Sequence, residues 1–165
     1  MIDVFHGSYT KIEKPDLAFS RTALDFGRGF YVTPIREQAV GWAMRWPRRG
    51  RPAILNRYTF NDELLAELNC RVKDLPAYDR EWLRFVVANR NGDEQTQYDI
   101  VRGGVANDKV FNTIELFFSH LIREDEALAR LKYEKPNHQI CIRGQDLIDR
   151  LLVFVSAEVI QNASR

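Results

Sequence analysis

The chain has 165 residues, of which 45% are hydrophobic and 28% are charged, and its formal net charge at pH 7 is +1. This balance is typical of a folded globular protein and excludes a disordered chain, so we expect residues 1–165 to form a single domain. A charge so close to zero also excludes the broad positive field on which non-specific nucleic-acid binding depends, but it leaves a specific contact open.

The predicted elements begin with a short, mostly apolar run ended by a glycine, which is typical of a buried strand. After a polar loop that reaches about Thr22, two glycines bracket a turn and a second strand follows. Pro34 suits the first turn of the next helix, which is expected to continue through Trp42 and to stop before Pro47. The strands of this half are predicted at Ile2–His6, Gly29–Thr33 and Ala53–Phe60.

The second half adds helices whose apolar residues recur at helical spacing, with Asn61 as the cap of the first. These helices are predicted at Asp62–Leu68, Tyr78–Asn89, Val110–Ile122 and Glu124–Leu131. Short strands are predicted at Tyr98–Val101, Gln139–Ile142 and Leu151–Val155. Because strands and helices do not alternate regularly, an α+β arrangement fits better than a doubly wound parallel sheet.

Cellular location can also be predicted from the sequence. The first residues carry no basic stretch followed by an apolar run, which an export signal requires, and the longest apolar runs, such as Leu151–Val155, are too short to span a bilayer. Cys70 and Cys141 have no metal-ligand spacing, so no metal site is expected. One disulfide between them is possible in principle, but we expect two buried thiols in a reducing cytosol. We therefore expect a cytoplasmic protein without a membrane partner.

Two glycine-containing motifs carry candidate chemistry. Gly27-Arg28-Gly29 lacks the third glycine of the dinucleotide fingerprint and the Gly-Lys-Ser/Thr of a P-loop, and a strand follows it where both motifs need a helix. It therefore predicts a tight turn and no phosphate loop. His6 beside Gly7 has two interpretations: a half-buried histidine bonded to backbone, or a hydrogen-bond donor to a ligand, beside a glycine whose bare backbone lets a flat ring approach closely.

Aromatic and basic residues supply two further candidate features. Tyr31 lies on the second predicted strand and Trp42 on the following helix, and such a pair is either part of the core or forms two walls around a planar ring. Four arginines surround Trp46 and Pro47, and they form either a solvated loop or a contact to a pyrophosphate or to an RNA or DNA target. The four are Arg45, Arg48, Arg49 and Arg51.

Taken together, these motifs resemble the ADP-ribosyltransferase superfamily, in the branch whose three signature positions are His, Tyr and Glu. The first signature, a strand ending in His-Gly and a small hydroxyl residue, reads Val4-Phe5-His6-Gly7-Ser8. The second is similar to the Gly-x-Gly-φ-Tyr-φ segment of the poly(ADP-ribose) polymerases and reads Gly27–Val32, with Trp42 at the offset of their second aromatic. The third, a short strand that begins with Glu, resembles Gln139–Arg143.

More closely, the chain resembles a group of bacterial domains of unknown function. They typically read Val-Tyr-His-Gly-Ser near the start, and their four further motifs match this chain in order. Those matches are Asp25–Thr33, Tyr98–Val101, Val105–Asp108 and Asn137–Cys141. The resemblance therefore covers nearly the whole chain and implies an ADP-ribosyltransferase-like split β-sandwich, two small sheets flanked by helices.

The resemblance implies NAD as a co-substrate and a role for each matched residue. His6 would contact a ribose hydroxyl and the backbone of Gly7 the nicotinamide carboxamide. Tyr31 would stack on the nicotinamide ring, with Trp42 as a second wall. Gln139 would lie near the nicotinamide ribose and orient it or the incoming nucleophile. His6, Tyr31 and Gln139 are thus the expected catalytic residues.

Weaker candidates are Ser8 for a sugar, Arg21 for the pyrophosphate and Asp108 for a missing acid. Two positions depart from the superfamily, since its catalytic Glu is Gln139 and a Ser that often holds the nicotinamide amide is Ala39. Gln can hydrogen-bond a hydroxyl but supplies no negative charge. Transfer of a single ADP-ribose is therefore expected in place of long polymers.

The acceptor implied by the resemblance is a macromolecule, either protein or nucleic acid. Bacterial relatives of this kind are often encoded as toxins or phage-conflict proteins, which leaves room for a cognate antitoxin as a partner. The alternative is a catalytically inactive module of the same fold that binds NAD, another nucleotide or a partner, with Gln139 marking the lost activity.

Overall fold

The computed structural model describes residues 1–93 and 97–161, and within them the chain forms seven strands and six α-helices. The strands are β1 (Ile2–Ser8), β2 (Phe30–Val32), β3 (Ile54–Phe60), β4 (Val72–Leu75), β5 (Ile100–Gly103), β6 (Gln139–Ile142) and β7 (Leu152–Val159). The helices are α1 (Arg36–Ala43), α2 (Leu64–Glu67), α3 (Arg80–Arg90), α4 (Asp108–Phe118), α5 (Glu124–Leu131) and α6 (Gln145–Leu151).

The strands form two small sheets. The first is antiparallel, in the order β1-β3-β7, and the second has the order β2-β6-β5-β4, with β4 parallel to β5 and the other pairs antiparallel. A single bridge joins them, because Phe5 of β1 and Thr33, directly after β2, exchange both backbone hydrogen bonds at 2.8 and 2.9 Å. The expected α+β class with two small sheets is confirmed.

Two apolar clusters lie on opposite faces of the second sheet, and β6 contributes to both. Ile140 and Ile142 join the cluster in which the two sheets meet α2 and α6, whereas Cys141 joins the cluster made with α3, α4 and α5. Successive side chains of a strand point to opposite faces, so a strand buried on both faces reads as continuously apolar. All four residues of β6 are indeed buried.

Several predicted boundaries were wrong for local reasons. Pro34 is not in the first turn of α1, since the helix begins at Arg36 with Ile35 as its cap. Asn61 does not cap α2, which begins only after Glu63. The predicted helix to Ile122 ends at Phe118, and His120 then adopts a positive φ of 58° that terminates the helical path.

Some features were missed or only partly anticipated. β4 and α6 were not predicted, and β7 is longer than expected, running to Val159. Cys70 and Cys141 are free thiols as predicted, although Cys70 is only half-buried. None of the helices in the described part of the chain has the length and apolar character that a membrane crossing requires.

Candidate functional site

The two sheets separate directly after the bridge between β1 and β2. In an unbroken antiparallel ladder, the next hydrogen-bonded pair after Phe5 and Thr33 would be Gly7 and Tyr31. Instead, the carbonyl oxygen of Tyr31 accepts a hydrogen bond from Nδ1 of His6 at 2.7 Å. The hydrogen-bonding direction alternates along a strand, so the N–H and C=O of Gly7, like those of Phe5, point away from β3. They therefore lie on the side where the two sheets separate. The imidazole of His6 therefore ends the ladder and leaves these two polar groups of Gly7 facing the gap.

The hydrogen bond to Tyr31 also sets the state of the His6 ring. A carbonyl oxygen only accepts, so Nδ1 must carry the proton. Burial lowers the pKa of His6, and in the neutral ring Nε2 is then an acceptor. The ring stacks on Phe30, with centroids 4.6 Å apart and planes at 27°. With Nδ1 bonded to Tyr31, Nε2 is the nitrogen that remains free, and in the neutral ring it accepts.

Gly7 is a glycine for a reason that the sequence did not reveal. A Cβ on Gly7 would lie 2.1 Å from the oxygen of Ala39 and 2.6 Å from the nitrogen of Ala43. These distances are far inside van der Waals contact, so the backbone of α1 covers the face of Gly7 on which a side chain would lie. The close packing fixes α1 over β1, with Ala39 fully buried.

The hydroxyl of Tyr31 is held by the turn that precedes β2. It donates to the carbonyl oxygen of Gly27 and accepts from the N–H of Phe26 at 3.1 Å. Gly27 has a φ of +77°, which favours glycine. Burial raises the pKa of Tyr31 well above its ordinary value, so the phenol stays neutral. Since the hydroxyl is already bonded, only the ring of Tyr31 is available to a ligand.

Trp42 lies near the C-terminal end of α1. It is half-buried, and both Trp42 and Tyr31 pack against the apolar cluster formed with α3, α4 and α5. The two aromatics that the sequence paired thus border the same part of the core.

Gln139 carries an unpaired polar group in a buried position. It is only 6% exposed, yet its carboxamide forms no hydrogen bond with any residue in the ranges 1–93 and 97–161. The fully buried polar atoms that lack a partner do not include those of Gln139, so its carboxamide keeps some contact with solvent. Tyr31 lies opposite Cys141, so Gln139 shares the face of Tyr31 as its diagonal neighbour on the adjacent strand, at about 7–8 Å between Cα atoms.

A second amide lies beside Gln139 and was not anticipated from the sequence. Gln38 of α1 accepts from the N–H of His138 at 3.3 Å through Oε1, which leaves its buried Nε2 without a partner among the described residues. Thr33 donates to the carbonyl oxygen of His138 at 2.7 Å. The edge where β2 meets β6 therefore holds two incompletely bonded amides.

The weaker candidates are placed differently. Ser8 is buried at the end of β1, whereas Arg21 is exposed in the loop before β2. Asp108 is exposed in the first turn of α4, where it complements the helix dipole. The described contacts join none of these three to His6, Tyr31 or Gln139.

A buried ion pair holds the loop of the second motif in place. Asp25 accepts from Nη2 and Nε of Arg90 at 2.6 and 2.8 Å, with the side chains only 11% and 16% exposed. Its second oxygen accepts from the N–H of Ala106 at 3.0 Å. Asp25 thus ties the turn before β2 to α3 and to the segment before α4. Asp25 was part of a matched motif, but no sequence signal pointed to Arg90.

Comparison with known proteins gives one match. A family model described as a protein of unknown function, DUF3990, matches residues 2–154. No curated protein and no solved structure matches the chain.

Proposed function

The chain belongs to the DUF3990 family of proteins of unknown function, and we propose that it is an NAD-dependent mono-ADP-ribosyltransferase with an ADP-ribosyltransferase-like split β-sandwich. The observation that carries the proposal is the break between β1 and β2 at His6, which leaves the N–H and C=O of Gly7 facing the gap. It falls on the residues that resemble the first signature of that superfamily.

The polar groups around the gap suit the nicotinamide half of NAD. A carboxamide offers both donors and an acceptor, and the adjacent C=O and N–H of Gly7 complement it. The acceptor Nε2 of His6 would take a hydrogen bond from a ribose hydroxyl. Tyr31 and Trp42 would supply aromatic surface beside the nicotinamide ring.

Gln139 would act on the nicotinamide ribose. Its carboxamide makes no hydrogen bond within the described residues, and it can both donate to and accept from a ribose hydroxyl. This is an orienting role, because a neutral amide gives no charge to a developing cationic carbon. A single transfer is therefore favoured over polymer synthesis.

The reaction itself exchanges one bond for another at the anomeric carbon of that ribose. The bond from C1′ to the nicotinamide nitrogen breaks and nicotinamide leaves with the electron pair. A nucleophile of the macromolecular acceptor, a protein or a nucleic acid, supplies the pair for the new bond and loses its proton to solvent. What the chain contributes is position, by holding the sugar and the leaving group in a reactive geometry.

The neutral Gln139 also supports a second candidate, an inactive domain of the same fold that binds NAD or another nucleotide without cleaving it. A toxin role with a cognate antitoxin is compatible with the transferase and is carried by the resemblance alone. NAD consumption separates the two candidates.

The proposal is tested first by ligand binding. NAD at about 100 times its dissociation constant should add about 2.7 kcal/mol to the free energy of unfolding, which thermal unfolding detects. His6→Ala should lose most of this shift, while Arg130→Gln on α5 should keep it. No shift with NAD, nicotinamide or ADP-ribose at millimolar concentration would contradict both candidates that use NAD.

A further inference from the structure

Four arginines and two aromatic rings come together at the C-terminal end of α1. The guanidinium carbon of Arg49 lies 5.3 Å from the ring centroid of Trp46, and that of Arg51 lies 4.5 Å from the ring centroid of Tyr9. The two rings contact each other edge to face at 4.5 Å. We call this set the arginine–aromatic patch, and its members are Tyr9, Arg45, Trp46, Arg48, Arg49 and Arg51.

The positive charge of the patch is not neutralised within the protein. Its four arginines are exposed, and within residues 1–93 and 97–161 none of them forms an ion pair with a carboxylate. Nine arginines elsewhere in the described residues do form such ion pairs, for example Arg71, which pairs with Asp99 at 2.8 Å. In a chain whose net charge is only +1, this is a local concentration of charge suited to an anionic partner.

The patch borders the gap between the sheets. Gly7 lies against the backbone of Ala43, and both chain segments lead directly into the patch. Tyr9 follows two residues after Gly7, and Trp46 follows three residues after Ala43, where their rings meet. Two extended residues span about 7 Å, so a partner on the patch would reach the place where Gly7 faces the gap.

We propose that the arginine–aromatic patch binds single-stranded nucleic acid. Guanidinium groups bond phosphates in bidentate fashion, and aromatic rings combined with arginine stack unpaired bases. An acidic protein segment would contact the guanidinium groups through its carboxylates and would make no stacking contact with the rings of Tyr9 and Trp46. A duplex would hide its base faces and would need a broader positive field than this chain provides.

The inference rests on the proposed function in one respect, which is that the bound strand would be the acceptor of ADP-ribose. A nucleophilic base nitrogen or hydroxyl oxygen of the strand would supply the electron pair to C1′ of the ribose as nicotinamide leaves with its own. The proton of that nucleophile would pass to solvent. The binding of the strand is measurable without this reaction.

The experiment uses fluorescence anisotropy with labelled single-stranded RNA and DNA of mixed sequence, roughly 12 nucleotides long and so within common site sizes. The variant Arg48→Gln/Arg49→Gln is compared with Arg123→Gln/Arg130→Gln on and next to α5, which removes the same charge elsewhere. The patch variant should bind at least tenfold more weakly, and its salt dependence should decrease by about 0.7 per lost phosphate contact. Trp46→Ala should weaken binding with little change in salt dependence, and the α5 variant should bind like the wild type.

The remaining arms separate this inference from the proposed function. Nicotinamide release from NAD without any strand should be the same in the patch variant and the wild type. If the wild type releases nicotinamide but binds no strand, or binds a poly-glutamate peptide better than the strand, the inference is wrong. It is also wrong if the patch variant loses affinity for NAD while retaining affinity for the strand. If the strand binds at the patch but no nicotinamide is released, the proposed function fails and the nucleic-acid surface stands.

Discussion

Nδ1 of His6 donates a hydrogen bond to the carbonyl oxygen of Tyr31 at 2.7 Å. In an unbroken sheet, the backbone N–H of Gly7 would donate to that oxygen. One side chain thereby stops the ladder between β1 and β2 and opens the gap beside Gly7. The arrangement depends on a neutral ring whose proton is on Nδ1. Protonation would add a second proton at Nε2 and turn this nitrogen, which on the proposed function meets a ribose hydroxyl, from an acceptor into a donor.

This state of His6 predicts a pH dependence of stability. Burial lowers the pKa of His6 below its ordinary value of 6.5, so the unfolded chain takes up a proton at a higher pH than the folded chain. The free energy of unfolding should therefore fall as the pH drops from about 6.5 towards the folded-state pKa, and His6 should contribute no slope above that window. Urea unfolding at several pH values measures the slope.

The control for this prediction is His6→Asn, which keeps an N–H for the carbonyl oxygen of Tyr31 but cannot titrate. Its stability should fall less steeply over the same window. Part of the slope should remain, because burial also lowers the pKa of His138, and His138→Asn should remove that part. A His6→Asn variant with the full wild-type slope would contradict the assignment of a neutral, buried imidazole.

The contact between Gly7 and α1 predicts opposite effects for two glycine substitutions. A Cβ at Gly7 would lie 2.1 Å from the oxygen of Ala39, so Gly7→Ala must push α1 away from β1. Overpacking of this kind costs about 1–3 kcal/mol or more. Gly41 lies within α1 and a Cβ there meets nothing within 4 Å, so Gly41→Ala should stabilise by about 0.5–1 kcal/mol. Thermal unfolding of both variants shows whether each substitution lowers or raises the stability of the protein.

Because the ion pair between Asp25 and Arg90 is mostly buried, its loss should lower the free energy of unfolding more than the loss of an exposed ion pair. Asp25→Ala removes two charge-assisted hydrogen bonds from a guanidinium that is only 16% exposed. Glu115 stays 3.3 Å from Nη1 of Arg90, so the expected cost is about 1.5–3 kcal/mol. The matched control is Asp3→Ala, since Asp3 pairs with Arg57 at the same 2.6 Å but both side chains are nearly half exposed. That change should cost about 0–1 kcal/mol. Equal losses in denaturant unfolding would show that Asp25 does not anchor the turn.

Sequence reasoning succeeded for elements whose signals are local. The strand β1, the turn at Gly27 and the helical spacing of α3 can each be predicted from a few adjacent residues. The expectation that β1 is buried was wrong for most of its length, since its burial is confined to Val4 and Ser8. β4 and α6 were missed, because their stability depends on partners distant in sequence: β4 is paired in parallel only with β5. Local composition carries little of that information.

The same limit applies to the candidate site. Resemblance placed His6 and Tyr31 in one site, and the structure brings them into direct contact. It could not show which nitrogen of His6 is free, nor that α1 covers the face of Gly7 on which a Cβ would lie. Gln38 has no motif around it at all, and only its unpaired buried Nε2 draws attention to it.

The carboxamide of Gln139 makes no hydrogen bond within the described residues, which separates its expected effects on stability and on activity. Gln139→Ala breaks no hydrogen bond to the described residues and removes one buried methylene, Cγ, which is worth about 0.8 kcal/mol. Stability should therefore change by less than about 1 kcal/mol. On the proposed function, release of nicotinamide from labelled NAD should fall by roughly 10²–10³-fold, as when one positioned hydrogen-bonding group is lost. If Gln139 had a structural role alone, Gln139→Ala would lower stability and leave the nicotinamide release of the folded protein unchanged.

Gln139→Glu is the decisive variant, because it restores the carboxylate of the third signature in the resemblance. It should keep or raise nicotinamide release, with a shift towards water as the acceptor, since a negative charge stabilises a cationic C1′. His6→Ala and Tyr31→Ala should instead weaken both NAD affinity and turnover, because these residues shape the ground-state complex. The assay includes cell extract as a source of acceptors. If the wild type and Gln139→Glu both bind NAD and neither releases nicotinamide, the domain binds the nucleotide without cleaving it, and the transferase is ruled out.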